Sequence, residues 1–360
     1  MKKIMTYKNK LARWSMMALL PVLATGCLSE FPEETADGEV GVDPTSVTVE
    51  AEISFDLNLP DSEDENVKNL YVTNDPDRWP DALHRITLAA YEGTALAERV
   101  VVYEDLPLTN RFQTKVSVPL HARNYRLAVW ADYYGDFDTD AIEETDSCYN
   151  TLDFTTVMKP KNKSYIGNNR FEDAFYACQE LDLTRYRDEW GAKVPVSMEL
   201  SRPVGRFELV ATDVADFLAD EDIMNVSDPT DGSAFRVYLD YDGAMPVGYD
   251  VLSDVTRHAF DGMSFNGSIR KTALESAGGE YSLLFDYILI DPDKTTSIPV
   301  TLRVVSGTNT SVEYARYSFR LQCKRGVNTV IRAPFLTTDP NGGIGFDPDF
   351  DDEIDVDLDD

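Results

Sequence analysis

Apolar and polar residues alternate along most of the chain, and a period of two predicts β-strands. The first alternating segment is VTVEAEISFDLNLP, residues 47–60. Successive side chains of a strand point to opposite faces, so one face of this segment is predicted to be buried. Its apolar positions are Val47, Val49, Ala51, Ile53, Phe55, Leu57 and Leu59.

Four further segments in the first half of the chain have the same character. RITLAAYEG, ERVVVYEDL and RFQTKVSVPL are predicted strands. The fourth segment, NYRLAVWADYYG, has Tyr125, Leu127 and Val129 on one face and Ala128 and Trp130 on the other. Since both faces are apolar, this segment is predicted to be a central strand that is covered on both sides.

The middle of the chain, residues 135–191, mixes polar, aromatic, Gly and Asn residues without a clear period. It predicts long loops with one short helix, and a long insert of this kind is usually functional or packed as a lid. Alternation resumes at KVPVSMELSRPVGRFELVA, so we place a domain boundary near residue 191. One helix is predicted in DVADFLADEDIM, and it is followed by the strand-type segments FRVYLDYDG, EYSLLFDYILI, SIPVTLRVVSG, EYARYSFRLQC and NTVIRAPFLTT.

The two halves carry a weak internal similarity, with YRLAVWADY and EYSLLFDYILID in comparable places. This predicts an all-β protein of two similar sandwiches in tandem, 47–191 and 192–360, and argues against a doubly wound α/β fold.

Residues 28–46 are acidic and contain Pro and Gly, which is typical of a tether. The acidic tail alternates at Ile354, Val356 and Leu358. We expect the tail to pack on its own second half, because its aspartates would repel each other along a polymer.

The N-terminus has the pattern of a secretory signal, residues 1–26. Five Lys and Arg precede an apolar run from Trp14 to Ala24 that would span about 16 Å as a helix, too short to cross a bilayer. The sequence LATGC then resembles the bacterial lipobox, in which the signal is cut before Cys27 and that thiol is acylated. Leu23 lies one place further from the cysteine than usual. The mature protein, from Cys27, is therefore predicted to hold the membrane through its acyl chains.

Charge excludes one class of partner. The formal net charge of −31 becomes −36 for the 334 residues from Cys27 onward. A surface this acidic argues against nucleic acid, because neutralising phosphates requires clusters of Lys and Arg.

The remaining cysteines are Cys148, Cys178 and Cys323, an odd number that rules out a full disulfide framework. Cys323 is in phase with the apolar residues of YSFRLQC and is predicted to be a buried thiol. Cys148 and Cys178 flank the irregular segment, and the sequence leaves open whether they are bonded to each other or free.

No pattern in the sequence carries recognisable enzymatic or cofactor chemistry. The mature chain has three histidines, without HExxH or CxxC spacing, so a zinc site is not expected. The Asp-rich tail has D-x-D-x-D spacing, but Asp352 and Leu358 stand where a calcium loop needs Gly and Glu. Trp79 lies in a predicted loop, where it packs on its own domain or stacks on a sugar. We expect neither an enzyme nor a cofactor.

Several of these motifs, in this order, resemble the fimbrial-subunit and fimbrillin-like outer-membrane lipoproteins of Bacteroidales, including related uncharacterised domains. They are the lipobox cysteine, RITLAAYEG, LHARNYRLAVWADY, MELSRPVGRFELVATDV and QCKRGVNTVIRAPFLTT. The resemblance covers most of residues 47–338. It implies two transthyretin-like β-sandwiches, export to the outer membrane and display at the cell surface, and it transfers Cys27 as the acylated residue. It transfers no catalytic residue.

Three functions follow from this interpretation. The first is a lipid-anchored anchor or accessory subunit of a fimbria-like assembly, which would hold other subunits by strand addition. The second is a glycan-binding surface lipoprotein, which would be favoured by glycan-array binding that is lost on Trp79→Ala. The third is a polymerising subunit that an Arg-specific protease cuts after Arg78, removing the first strand.

Overall fold

The computed structural model describes residues 4–5, 46–57, 83–105, 107, 110–135, 147–159, 165, 167–189, 191–230, 232–338 and 355–357. These residues form mostly β-strands, arranged in five sheets. The strands up to the predicted boundary region are β1 Ile4–Met5, β2 Ser46–Asp56, β3 Leu83–Glu92, β4 Ala95–Asp105, β5 Arg111–His121, β6 Asn124–Tyr134, β7 Val157–Met158, β8 Phe175–Asp182 and β9 Lys193–Glu199.

The described residues of the second half form ten further strands and three α-helices. The strands are β10 Val204–Ala211, β11 Phe235–Tyr241, β12 Met245–Asp250, β13 Val255–Phe260, β14 Ser264–Ile269, β15 Tyr281–Leu289, β16 Thr295–Ser306, β17 Glu313–Lys324, β18 Asn328–Ala333 and β19 Asp355–Asp357. The helices are α1 Val214–Ala219, α2 Glu221–Met224 and α3 Lys271–Ala277. Two 3₁₀ turns, Arg170–Glu172 and Thr184–Tyr186, lie in the first half.

The first half is a β-sandwich of two sheets. Sheet I has the order β1-β4-β3-β6-β8 and is antiparallel, and sheet II has the order β5-β2-β9. Strand β2 pairs antiparallel with β5 and parallel with β9. The first core lies between the sheets: Val49 and Ile53 of sheet II meet Leu88, Leu127 and Val129 of sheet I. The alternation predicted for residues 47–60 is confirmed over β2, where every second side chain is buried.

The second half is a sandwich of sheets III and IV. Sheet III has the order β15-β10-β18-β19, and the antiparallel sheet IV has the order β14-β11-β16-β17. The second core joins Phe207 and Leu209 of β10 to Val237, Leu302 and Phe319 of sheet IV. Cys323 is part of this core as a buried free thiol, as predicted. Strand β19 of the acidic tail pairs in parallel with β18, so these three residues join sheet III of the second half.

A third apolar cluster, which we name the junction cluster, connects the halves. It contains Ala128 and Trp130 from the outer face of sheet I together with Tyr249, Tyr287 and Leu289 from the second half. Strand β6 therefore contributes one face to the first core and the other to this cluster, as its two apolar faces predicted. Sheet V, with the order β13-β12-β7, also crosses between the halves, because β7 comes from the irregular middle segment.

The structure departs from the sequence prediction in several elements. Strand β9 lies beyond the boundary placed at residue 191, yet it pairs with β2 in the first half. The middle segment, for which the sequence predicted long loops with one short helix, contains strand β7, the eight-residue strand β8 and two 3₁₀ turns among its described residues. The predicted helix DVADFLADEDIM is split into α1 and α2, because Asp220 between them has an extended backbone and its carboxylate accepts the Asp222 amide. Helix α3 and strands β12–β14 were not predicted.

Candidate functional site

The candidate site is the junction between the two halves, which contains buried charged side chains and a cavity. On its outer side, Arg325 extends from the turn between β17 and β18 toward the first half. Its guanidinium donates to Asp254 Oδ1 at 2.8 Å, to the Arg202 carbonyl at 3.0 Å and to the Tyr176 hydroxyl. It also lies 4.8 Å from the centre of the Tyr176 ring. One arginine of the second half therefore holds a tyrosine of the first.

A second arginine fixes the chain between β9 and β10. Arg202 makes a forked contact with Asp173, with Nε 2.9 Å from Oδ1 and Nη2 3.0 Å from Oδ2. Its Nη2 also donates to the Leu57 carbonyl at 3.2 Å, and the guanidinium covers the Phe175 ring at 4.5 Å. Bidentate pairs of this kind define geometry as well as charge. The arrangement fixes the connection between the halves to the first sandwich.

A cavity of about 440 Å³ opens beside these arginines. Polar side chains from both halves line most of it, among them Arg126, Gln179, Glu180, Glu199, Ser201 and Asp254. Arg126 is held in place because it donates to the carbonyls of Leu252 at 3.3 Å and Gly93 at 3.0 Å. The cavity therefore offers donors and acceptors to a polar ligand.

A buried acid–base cluster also lies between the middle segment and the second half. Lys159 is the residue that directly follows β7. Its ammonium group donates to Glu172 Oε2 at 2.5 Å, to the Tyr165 hydroxyl at 3.1 Å and to the Tyr287 carbonyl at 3.0 Å. The side chains of Lys159 and Glu172 are only 5% and 7% exposed. This cluster joins the middle segment to β15 of the second half.

A second carboxylate belongs to the same cluster. Asp286 in β15 is fully buried, and its Oδ2 accepts from the hydroxyls of Tyr165 and Tyr241, each at 2.5 Å. Tyr165 thus lies between Lys159 and Asp286, accepting from the first and donating to the second. The hydrogen bonds form a continuous path for a proton from the ammonium to the carboxylate.

Burial sets the protonation of this cluster. Loss of water raises the pKa of Glu172 to about 8, against the opposing effect of the Lys159 ammonium. Burial lowers the pKa of Lys159, but Glu172 and Asp286 outweigh burial and leave that pKa above its usual value. A buried carboxyl group favours its neutral form when desolvation exceeds the attraction of its partner. Burial therefore favours the neutral form of Glu172, whereas the nearby carboxylates favour the charged form of Lys159.

A further buried ion pair supports the junction cluster from sheet I. Arg85 in β3 contacts Asp132 in β6 through Nε at 2.8 Å and Nη2 at 2.5 Å, and it also donates to the Tyr149 carbonyl at 2.8 Å. Trp130 Nε1 donates to the same carboxylate at 3.3 Å. Burial raises the pKa of Asp132, and Arg85 opposes that rise. This pair orients Trp130 and is a structural element of the junction.

The structure describes only some of the site residues that were predicted from the sequence. Cys27, Arg78 and Trp79 fall outside the described residues, as do the Asp-rich positions of the tail before residue 355. Cys148 and Cys178 are free thiols in the structure, so the disulfide that the sequence left open is not formed here. Both pack against the junction cluster.

The buried acid–base cluster was missed at the sequence level. One signal was available: Asp286 interrupts the apolar strand YSLLFDYIL, and a charge there needs buried partners. Lys159 and Glu172 gave no such signal, because they lie in the segment without periodicity. Among the described residues, no group of three or more His, Cys, Asp and Glu side chains is placed to hold a metal ion. In the same part of the chain, no helix is long and apolar enough to cross a membrane.

Comparisons with known proteins give one family and several distant structures. Residues 44–359 match a family of unknown function, DUF6562. No curated protein matches the chain. A solved structure of a candidate adhesin from Bacteroides ovatus is 11% identical, covers 76% of each chain and has a TM-score of 0.38.

Two further solved structures come from fimbrial systems. The fimbrial anchor protein Mfa2 from Porphyromonas gingivalis is 13% identical over 75% of this chain and 81% of its own, with a TM-score of 0.36. A fimbrial assembly protein from Parabacteroides distasonis is 8% identical over 80% of this chain and 91% of its own, with a TM-score of 0.33. The resemblance stated from the sequence named this group of Bacteroidales proteins and its uncharacterised relatives.

Proposed function

We propose that this protein, which belongs to the family of unknown function DUF6562, is a lipid-anchored, structural and adhesive protein of the outer membrane. In this proposal it is displayed at the cell surface as an anchor or accessory subunit of a fimbria-like assembly. The observation that carries the proposal is the leader pattern: a basic start and a short apolar run are followed by two small residues, Thr25 and Gly26, and then by Cys27. The body behind it is two β-sandwiches.

Open strand edges support a role in holding other subunits. Within the described residues, β5 and β9 are the outer strands of sheet II, and β13 is an outer strand of sheet V. An outer strand presents unpaired backbone N–H and C=O groups, which a partner strand pairs with by β-augmentation. In β13, the residues from Arg257 to Phe260 are exposed to solvent. The proposed partners are therefore other subunits that supply an extended segment.

Substituting the acylated cysteine tests the proposal. We expect Cys27→Ser to abolish labelling by an alkyne-bearing fatty acid and to move the protein from the membrane to the soluble fraction. The physical reason is that membrane attachment rests on acyl chains, each buried methylene contributing about 0.8 kcal/mol. Cys178→Ser, at a half-buried thiol, is the matched control and should keep both label and membrane attachment. A Cys27→Ser protein that stays labelled in the membrane would contradict the proposal.

The same preparation distinguishes an anchor from a polymerising subunit. An acylated species that starts at Cys27 supports the anchor, whereas a species that starts at Trp79 indicates cleavage after Arg78. We favour the uncut form. Strand β2 lies between β5 and β9 and buries Val49, Ala51 and Ile53 completely, so its removal would open the first core.

Glycan binding is the second candidate function, and the polar cavity at the junction favours it. Sugars are recognised through hydroxyl groups that need several fixed donors and acceptors, which Arg126, Gln179 and Glu180 supply there. If the glycan array gives a signal, repeating it with Arg126→Ala and with the nearby exposed Arg123→Ala locates the binding site.

A further inference from the structure

Lys159 and Glu172 stand in an arrangement that ordinary ion pairing does not require. Their Nζ and Oε2 atoms are 2.5 Å apart, both side chains are withdrawn from water, and a second carboxylate is connected to the same nitrogen through Tyr165. Aromatic rings complete the enclosure: Tyr165 packs edge-to-face on Tyr241 and Phe265. This is an amine held against a carboxyl group in a dry site.

We propose that Lys159 and Glu172 condense into an isopeptide bond, an amide between Nζ and Cδ that the folded protein forms by itself. The bond would close a covalent loop within the middle segment, directly against β15 of the second half. It is independent of the proposed function, because it depends on neither acylation nor any partner.

The condensation balances without any external reagent. The Asp286 carboxylate takes a proton from the Lys159 ammonium through the Tyr165 hydroxyl, which leaves a neutral amine. The nitrogen lone pair attacks Cδ of the protonated Glu172 carboxyl group and forms a tetrahedral intermediate. The C–OH bond then breaks, the hydroxyl leaves with a second proton from the nitrogen, and the products are one amide and one water. Nothing is oxidised or reduced.

Each requirement of this reaction is met by an observed feature. Burial raises the pKa of Glu172 to about 8, which favours the protonated form of the carboxyl group to be attacked. Asp286 is fully buried and accepts from Tyr165, which places the proton acceptor on the path from the nitrogen. Well-oriented groups inside one molecule react with effective molarities on the order of 10⁵–10⁸ M. Exclusion of water also opposes hydrolysis of the product.

An exposed pair in the same molecule has the same chemistry without the enclosure. Lys193 Nζ lies 3.0 Å from Glu50 Oε1, but these side chains are 70% and 41% exposed. That pair is accessible to water, and in the described structure no hydroxyl group connects a second carboxylate to its nitrogen by hydrogen bonds. It should remain an ion pair, and it provides an internal control.

Peptide mapping of the full chain tests the bond directly. Trypsin cleaves after Lys161, Lys163 and Arg170, so Lys159 and Glu172 fall on different peptides unless a bond joins them. We expect one linked species whose mass is the sum of the peptides carrying Lys159 and Glu172, less one water, with fragment ions that place the link on those residues. Peptides carrying Lys193 and Glu50 should be recovered separately.

Three outcomes would overturn the proposal. Full recovery of the two peptides unlinked would show an ion pair only. A link from Lys159 to Asp286 would show that Glu172 is not the acceptor. Equal linkage of Lys193 to Glu50 would show that the bond arises during handling.

Variants separate the bond from a general effect on folding. Lys159→Arg retains a charge but removes the reactive amine, and it should abolish the linked species. Asp286→Asn should slow bond formation after refolding roughly 10²-fold, as loss of a proton acceptor does. Near-UV circular dichroism checks that each variant folds, and the mapping of the unsubstituted protein remains decisive if one does not. Unchanged linkage kinetics in a folded Asp286→Asn protein would contradict the relay through Tyr165.

Discussion

At the residue scale, the first core contains a histidine in an apolar environment. His84 in β3 is 1% exposed and packs against the rings of Phe55, Phe112 and Tyr133 at 5.5, 4.9 and 4.6 Å. Burial lowers its pKa to about 3 from an ordinary value of 6.5, although the Asp132 backbone opposes this. His84 is therefore neutral in the folded protein, and a proton binds it mainly after unfolding.

This predicts that His84 destabilises the protein in acid. Because the pKa of His84 is depressed in the folded protein, the free energy of unfolding is unaffected by this group above pH 6.5. As the pH falls from 6.5 toward 3, protonation of the unfolded chain lowers the free energy of unfolding by about 1.4 kcal/mol per pH unit. We expect His84→Phe to remove this decline, so that between pH 7 and 5 it loses about 2 kcal/mol less stability than the unsubstituted protein. Urea denaturation at both values measures the difference. The exposed His121→Phe is the control, and parallel pH curves for His84→Phe and the unsubstituted protein would contradict the prediction.

At the element scale, β10 shows how closely the sheets of the second half approach the turn after β17. It pairs with β15 on one side and β18 on the other. A Cβ atom on Gly205 in this strand would lie 2.5 Å from the Lys324 carbonyl oxygen and 2.8 Å from Ile290 Cδ1. Glycine is therefore required at this position because the backbone at Lys324 approaches it closely, and not because the residue adopts a left-handed conformation.

We predict that Gly205→Ala destabilises the protein by about 1–3 kcal/mol, because the added methyl group must displace backbone in a central strand. Gly279→Ala is the matched control, since a Cβ there meets nothing within 4 Å. Urea midpoints measure both changes. Equal midpoints for the two variants would show that the contact at Lys324 relaxes freely.

The strands that were not predicted from the sequence have in common that they lack a clean alternation of buried and exposed side chains. Strand β8 shows only weak alternation, because its first residues are buried against sheet partners while later ones are half-exposed. Strand β13 is exposed over most of its length. Strands β2, β5 and β17 alternate cleanly because each has one face on a core, and these were predicted.

At the scale of the whole molecule, the two halves share a junction of apolar and charged groups. The junction cluster, the buried acid–base cluster through Tyr165 and Asp286, and Arg325 through Tyr176 all connect side chains from both halves. Trp130 is fully buried at this interface. Unfolding of the junction is therefore expected to be reported by tryptophan fluorescence.

We predict that Arg325→Met weakens this coupling and lowers stability by about 2 kcal/mol, the range for hydrogen bonds to charged groups. Methionine retains much of the apolar stem but removes the contacts to Asp254, Tyr176 and the Arg202 carbonyl. Arg316→Met is the control, because its pair with Glu313 is largely exposed and contributes at most about 1 kcal/mol. Fluorescence-detected urea unfolding measures both. A midpoint for Arg325→Met that matches the control would show that the apolar cluster alone holds the halves together.

The sequence by itself determined the all-β class, most of the long strands and both faces of β6, because burial in a strand alternates between neighbouring residues and can be read locally. The prediction of a leader that ends before Cys27 rests on local pattern as well. Only the tertiary structure decided the parallel pairing of β9 with β2, since that depends on backbone hydrogen bonds between distant segments. It likewise decided the meeting of Lys159, Glu172 and Asp286. Burial and mutual proximity give those side chains their chemistry, and both arise only when the two halves pack.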